Sequence, residues 1–121
     1  MKAPVRSPAL TLLEAVSASM PGDLEALRAL ADQYTEEGFY DEGLAVDLRL
    51  AHLLPEDPLV HYNLACSLAM AAEPEAAIVE LRRAFERGYV DMEHLQIDPD
   101  LDNLRDLPAF QELLKEYGRH K

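Results

Sequence analysis

Residues 62–89, YNLACSLAMAAEPEAAIVELRRAFERGY, decide the fold. Leu64, Ala65 and Leu68 fall on one side of a first helix. Ala77, Ile78, Leu81, Ala84 and Phe85 recur at i, i+1, i+4, i+7 and i+8 in a second. Glu73-Pro74 opens that second helix and Gly88 closes it. Two amphipathic helices joined by so short a turn pack antiparallel. The pattern returns upstream with a period of 34: Ala9, Gly43 and Ala77 are small, and Val16, Leu50 and Ala84 share another phase. Leu13 stands with Leu81, Pro21 with Pro55, Leu27 with His61, Leu30 with Leu64, Ala31 with Ala65, and Tyr34 with Leu68. A period near 34 with helical spacing inside it marks stacked helical hairpins. Such a stack offers a surface for holding another molecule rather than a pocket for chemistry.

Outward from this stretch, each hairpin carries its own punctuation. Ser7-Pro8 starts a helix running to Ser19, with Leu10, Leu13, Val16 and then Met20 on its apolar side, and Pro21-Gly22 ends it. Asp23 caps a helix running to Glu37 over Leu24, Leu27, Leu30, Ala31 and Tyr34, ended by Gly38. The next spans Tyr40 to Leu54 with Leu44, Leu48, Ala51 and Leu54 as its stripe; Asp57-Pro58 then opens the helix of the quoted stretch. Asp47 stands where the period asks for a large apolar residue, and Leu48 is expected to take over that packing. After Gly88 the pattern degrades into two turns over 91–97, a short turn over 99–105 and an amphipathic helix over 108–117 carrying Phe110, Leu113 and Leu114. No stretch reads as a strand. The expected fold is all-α, an α-solenoid of antiparallel hairpins with about two full repeats plus capping helices. Its parts are a disordered lead over 1–6 and one domain over 7–118. Within that domain a capping helix covers 8–20, repeats cover 23–55 and 57–88, and a degenerate repeat with a cap covers 90–118.

The chain has 121 residues, one domain by length. Its 23 acidic and 11 basic residues give a formal charge of −12, which argues against nucleic acid and against anionic membrane surfaces. The acids are either a solvated outer face or a patch that attracts a basic partner. Cys66 is the only cysteine, so no disulfide can form within the chain, and a reducing, cytoplasmic setting fits. Lys2, Arg6 and the short apolar stretch after them faintly resemble a secretory signal. Pro8 and Glu14 interrupt it, and its residues hold the repeat register. No apolar run approaches the length of a membrane span.

The 34-residue unit resembles tetratricopeptide (TPR) repeats. Tyr62-Asn63-Leu64-Ala65 is similar to the signature of the family's first helix, with Leu68 in its apolar site. Ala77, Leu81 and Ala84 match the small-large-small positions of its second helix. Residues 27–58 resemble another repeat through Tyr34, Gly38, Tyr40-Asp41-Glu42 and Pro55. The tail resembles the segment that follows many bacterial arrays of this kind.

In that family, first helices line a concave groove that holds an extended peptide or a partner helix. The resemblance therefore puts Arg28, Asp32 and Thr35 of one repeat, and Tyr62, Asn63, Cys66 and Met70 of the next, in a partner-binding groove. Asn63 can donate to and accept from a peptide backbone, and Tyr62 and Met70 offer apolar contact. An acidic groove with Arg28 as its lone base favours a basic or amphipathic segment. The clamp for a carboxyl terminus known in one branch is not expected, because Asp32 replaces an asparagine and Met92, Glu93 and Gln96 replace bases. Asp98, Asp100 and Asp102 resemble a calcium loop, but Asn103 and Ala109 occupy its glycine and glutamate sites; these aspartates are expected to cap a short helix and face water. His52, His61, His94 and His120 have no ligand spacing. Cys66 has no base beside it and reads as groove wall, not nucleophile. The expectation is a non-enzymatic adaptor without metal or cofactor. Alternatives are a self-associating scaffold subunit or a small acidic chaperone-like holder of a client. Glu112, Lys115, Glu116 and Arg119 make the last helix a polar cap, which favours a monomer.

Overall fold

A computed structural model describes residues 5–118. Residues 1–4 of the expected lead, and Arg119 and His120, lie outside the described residues. The elements are α1 (Pro8–Ser19), α2 (Leu24–Glu36), α3 (Tyr40–Leu53), α4 (Pro58–Met70), α5 (Pro74–Glu86), α6 (Met92–Ile97), the 3-10 helix η1 (Pro99–Leu104) and α7 (Pro108–Tyr117). No strand occurs among the described residues. The fold is an all-α helical repeat in which α1 packs on α2, α2 on α3, α3 on α4, and α4 on α5, as short connections require. Among the described residues no helix is long and apolar enough to cross a membrane.

The caps are those the side chains call for. Ser7 Oγ accepts from the Leu10 N–H, Asp23 from Ala26 and Asp57 from Leu59. The turn inside each hairpin repeats as well. The Phe39 N–H reaches the Tyr34 carbonyl at 2.8 Å, and 34 residues on the Glu73 N–H reaches the Leu68 carbonyl at 2.9 Å. Gly38 makes the first turn with φ 86°; Ala72, its counterpart, takes φ 60° and bears the strain of a Cβ there.

The core is layered rather than central. Leu10, Leu30, Tyr34 and Phe39 form one cluster; Leu27, Ala31, Leu50 and Val60 form the next. The largest joins α4 and α5 to the tail through Leu81, Leu95, Leu101, Leu104, Phe110 and Leu113. Small residues sit where hairpin helices cross: a Cβ on Gly43 would meet Thr35 Oγ1 at 3.1 Å and Tyr34 Cβ at 3.4 Å. Ala77 is fully buried at the equivalent crossing. Ala77→Leu is expected to overpack it and cost ~1–3 kcal/mol, read from the urea midpoint.

Two sequence expectations need correction. Leu48 does not take over for Asp47; it is about half exposed, while Asp47 itself is buried. The buried side of α3 is Gly43, Asp47 and Leu50, one position away from the Leu44–Leu48–Ala51 stripe. Asp98 does not face water but is buried; it does cap η1, accepting from the Asp100 N–H at 3.0 Å. Elsewhere, buried His61 sets Nδ1 against Glu80 at 2.7 Å and Nε2 against the Pro55 carbonyl at 2.7 Å, and Arg83 pairs with the other Glu80 oxygen. This network ties the α3–α4 turn to α5.

Candidate functional site

The first helices α2 and α4 flank a cleft of about 350 Å³, with α6 and η1 closing one end. Asp32, Thr35 and Glu36 project from α2 because their spacing puts them opposite the buried Leu27–Ala31–Tyr34 stripe. Tyr62, Asn63, Cys66, Ser67 and Met70 come from α4, and Asp47 of α3 is buried between the two helices. Six of the seven residues assigned to the groove from sequence (Asp32, Thr35, Tyr62, Asn63, Cys66 and Met70) thus share one cleft. Arg28 does not. It lines a smaller adjoining hollow beside Leu59 and Asn63, and its guanidinium donates to Asp57 at 2.6 Å. Burial raises Asp57, but Arg28 and the α4 N–H groups outweigh it and hold that carboxyl below its ordinary value.

Tyr62 and Cys66 are walls rather than adaptable contacts. Tyr62 is 2% exposed, its ring stacks on Tyr89 with centroids 4.4 Å apart, and its hydroxyl donates to Asp98 at 2.6 Å. Burial, aided by the Asp98 charge, pushes both the Tyr62 hydroxyl and the Cys66 thiol up, so the thiol stays protonated and is a poor nucleophile. Asp32 and Glu36 are exposed, and Thr35, Asn63, Met70 and Asp100 are partly so.

The sequence reading missed Asp47, His94, Asp98 and Asp100 as lining residues. Met92, Glu93 and Gln96, taken there as the third set of groove positions, instead line a separate hollow with Phe85, Tyr89 and Tyr117. The signal for Asp47 was its misfit, an acid in the phase that holds Leu13 and Leu81. For the others, the pattern that degrades after Gly88 gives no register; α6 and the start of η1 bring His94 and Asp98 to the cleft, their side chains 3.2 Å apart.

Among the described residues, five carboxylates therefore line the cleft (Asp32, Glu36, Asp47, Asp98 and Asp100), and neither Lys nor Arg does. Asp47 accepts a short hydrogen bond from the Ser67 hydroxyl but has no cationic partner among the described residues. Burial, with Asp32 adding repulsion and Ser67 opposing, raises its carboxyl from 3.8 to about 6. Burial also raises Asp32, with Arg28 opposing and Glu36 adding, and it raises Asp100, with Asp98 adding. The cleft concentrates negative potential that a cation would relieve. Cys66, Asp98 and Asp100 bring ligand atoms within 4.8 Å of one another. That trio joins a protonated thiol to a carboxylate already committed to Tyr62 and Asp100, so we assign it no metal.

No protein-family model matches the chain, and no solved structure matches it. Over 91 residues it is 31% identical to a protein of Arabidopsis thaliana whose name describes it as chloroplastic; the similarity covers 70% of this chain and 26% of that protein. The chain thus corresponds to about a quarter of the length of this relative.

Proposed function

We propose that the chain is a non-catalytic interaction module of the TPR type, and that its cleft holds a basic or amphipathic segment of a partner protein. The observation carrying this is the lining of the cleft: among the described residues, five carboxylates with no Lys or Arg, one of them, Asp47, buried without a cation. The 34-residue recurrence of helices, hairpin turns and small crossing residues supports the family assignment. A rigid stack presents these contacts already ordered, so the partner bears most of the ordering cost. Extended basic chains suit the site, since Asn63 can serve a peptide backbone while Asp32, Glu36 and Asp100 receive side-chain ammonium or guanidinium groups. The lone buried thiol suits a reducing compartment: the cytoplasm or, as the name of the Arabidopsis relative states for that protein, a chloroplast.

Fluorescence anisotropy with a labelled Lys/Arg-rich peptide and its Glu-substituted counterpart tests the reading. The basic peptide is expected to bind, more weakly as salt rises, and the acidic one is not. Asp32→Asn with Glu36→Gln, both exposed, should weaken binding about fivefold, the equivalent of ~1 kcal/mol for two surface charges. Equal binding of both peptides, or binding indifferent to salt, would overturn it.

A further inference from the structure

Two of the five carboxylates in the cleft, Asp47 and Asp98, are buried, and they differ in what their oxygens do. Asp98 uses both: Oδ2 accepts from the Tyr62 hydroxyl and Oδ1 from the Asp100 N–H. Asp47, 5% exposed, uses one, since only its Oδ2 accepts, from the Ser67 hydroxyl. Among the described residues no fully buried side-chain oxygen lacks a partner, so Oδ1 is the part of Asp47 that stays open. The spaces it opens onto are the cleft and the adjoining hollow. Asp47 lines both, as do Ala31 and Asp32 of α2 and Asn63 of α4. Arg28 lines the hollow too, but its guanidinium is held on Asp57 and makes no ion pair with Asp47. One acceptor oxygen thus stands between α2 and α4, on a carboxylate that folding has already stripped of most of its water.

Resting on the reading of the cleft as a site for basic segments, we propose that Asp47 is its anchor: one lysine side chain of the partner segment reaches between α2 and α4 and sets its ammonium on Asp47 Oδ1. A single open oxygen cannot take the two parallel N–H bonds of an arginine fork, because Ser67 occupies the other oxygen. A compact ammonium on a flexible stem suits a one-point acceptor. The stem can lie along Ala31, and the remaining ammonium protons have Asp32 and the Asn63 side-chain oxygen in the same walls. Asp47 lost its hydration at folding, so the incoming cation gives up only its own. The titratable and charged groups sharing these walls come from every neighbouring element. From α2 come Arg28, Asp32 and Glu36. From α4 come the Tyr62 hydroxyl and the Cys66 thiol, both held protonated. From α6 and η1 come His94, Asp98 and Asp100. A cation on Asp47 favours the ionised carboxylate, so at low pH its arrival sends the carboxyl proton to the buffer. Affinity for lysine therefore rises as pH rises through about 6.

Fluorescence anisotropy with two peptides of equal length and charge tests this, one carrying lysine as its only base and one arginine. Each is acetylated at its amino terminus, so that lysine supplies the only ammonium. Wild type is expected to prefer the lysine peptide about fivefold, the worth of one well-placed hydrogen bond. Acetylating the lysine side chains should abolish binding. Asp47→Asn keeps an acceptor for Ser67 and is expected to fold, which circular dichroism checks. It should weaken the lysine peptide at least ~10-fold and the arginine peptide only ~2-fold, so that the preference disappears. Between pH 5 and pH 7 the wild-type affinity for the lysine peptide should rise ~10-fold. Asp47→Asn should keep only the smaller rise that His94, Asp32 and Asp100 give both proteins. Binding of both peptides to wild type without preference, or an Asp47→Asn protein that binds and titrates as wild type does, would overturn the anchor and leave the basic-segment reading standing. Failure of both peptides to bind wild type would overturn the two together.

Discussion

Asp47→Leu is expected to stabilise the protein by on the order of 3 kcal/mol at pH 7, the equivalent of a carboxyl raised by about two pH units. In the unfolded chain this carboxyl ionises near its ordinary 3.8; in the fold, burial moves it to about 6. Between those values the folded state keeps a proton that the unfolded state has released. Folding is then penalised as pH rises through that window, and the penalty is complete above about 6. Wild type should therefore gain stability as pH falls from about 6 to about 4, with Asp32 and Asp100 adding in the same direction. Below that range Asp57, held under its ordinary value by Arg28, loses its charge and stability drops again. Leucine removes the buried charge and restores the side-chain class of Leu13 and Leu81. Ser67 loses its acceptor but can turn to a carbonyl one turn back in α4. Urea titrations across this pH range check both the gain and the flattened profile. The same variant should bind the basic peptide less tightly, since an acid kept at a stability cost is what a functional site shows.

Asp98→Ala is expected to cost about 3 kcal/mol, the sum of an orphaned buried hydroxyl and a lost helix cap. Asp98 accepts from the Tyr62 hydroxyl at 2.6 Å and from the Asp100 N–H at 3.0 Å, and it faces His94. It is a polar pin between α4 and the tail; Asn103 adds a weaker tie by donating to the Ala69 carbonyl at 3.3 Å. Asp98→Asn keeps an acceptor for Tyr62 and should cost less. Because the stack is one-dimensional, the damage should stay local. Hydrogen exchange is expected to quicken in α6, η1 and α7 while α1 to α3 keep their protection. Uniform loss across all helices would contradict the layered core.

The repeat was legible because it rests on local rules: proline and aspartate at helix starts, glycine at hairpin turns, small residues at crossings. The starts of α1, α2, α4 and α5 follow from Pro8, Asp23, Pro58 and Pro74, which act within one turn of themselves. The misreadings arose where a local rule met a tertiary one. Leu48 fits an apolar stripe by spacing, yet the crossing at Gly43 sets the rotation of α3 and turns Asp47 inward. Tyr62 reads as a groove contact by register, but Tyr89 and Asp98, 27 and 36 residues away, lock it into the wall. The acids of the tail, Asp98 and Asp100, lie beyond Gly88, where the repeat pattern degrades and periodicity no longer orients the chain.

A titration of the ¹⁵N-labelled protein with the Lys/Arg-rich peptide, followed by amide chemical shifts, tests the central claim most directly. Shifts clustered at Asp32, Glu36, Asn63, Met70 and Asp100, lost at high salt, are the expected result. Shifts confined to the outer faces of α1, α3 and α5, or none at all, would contradict the assignment of the cleft.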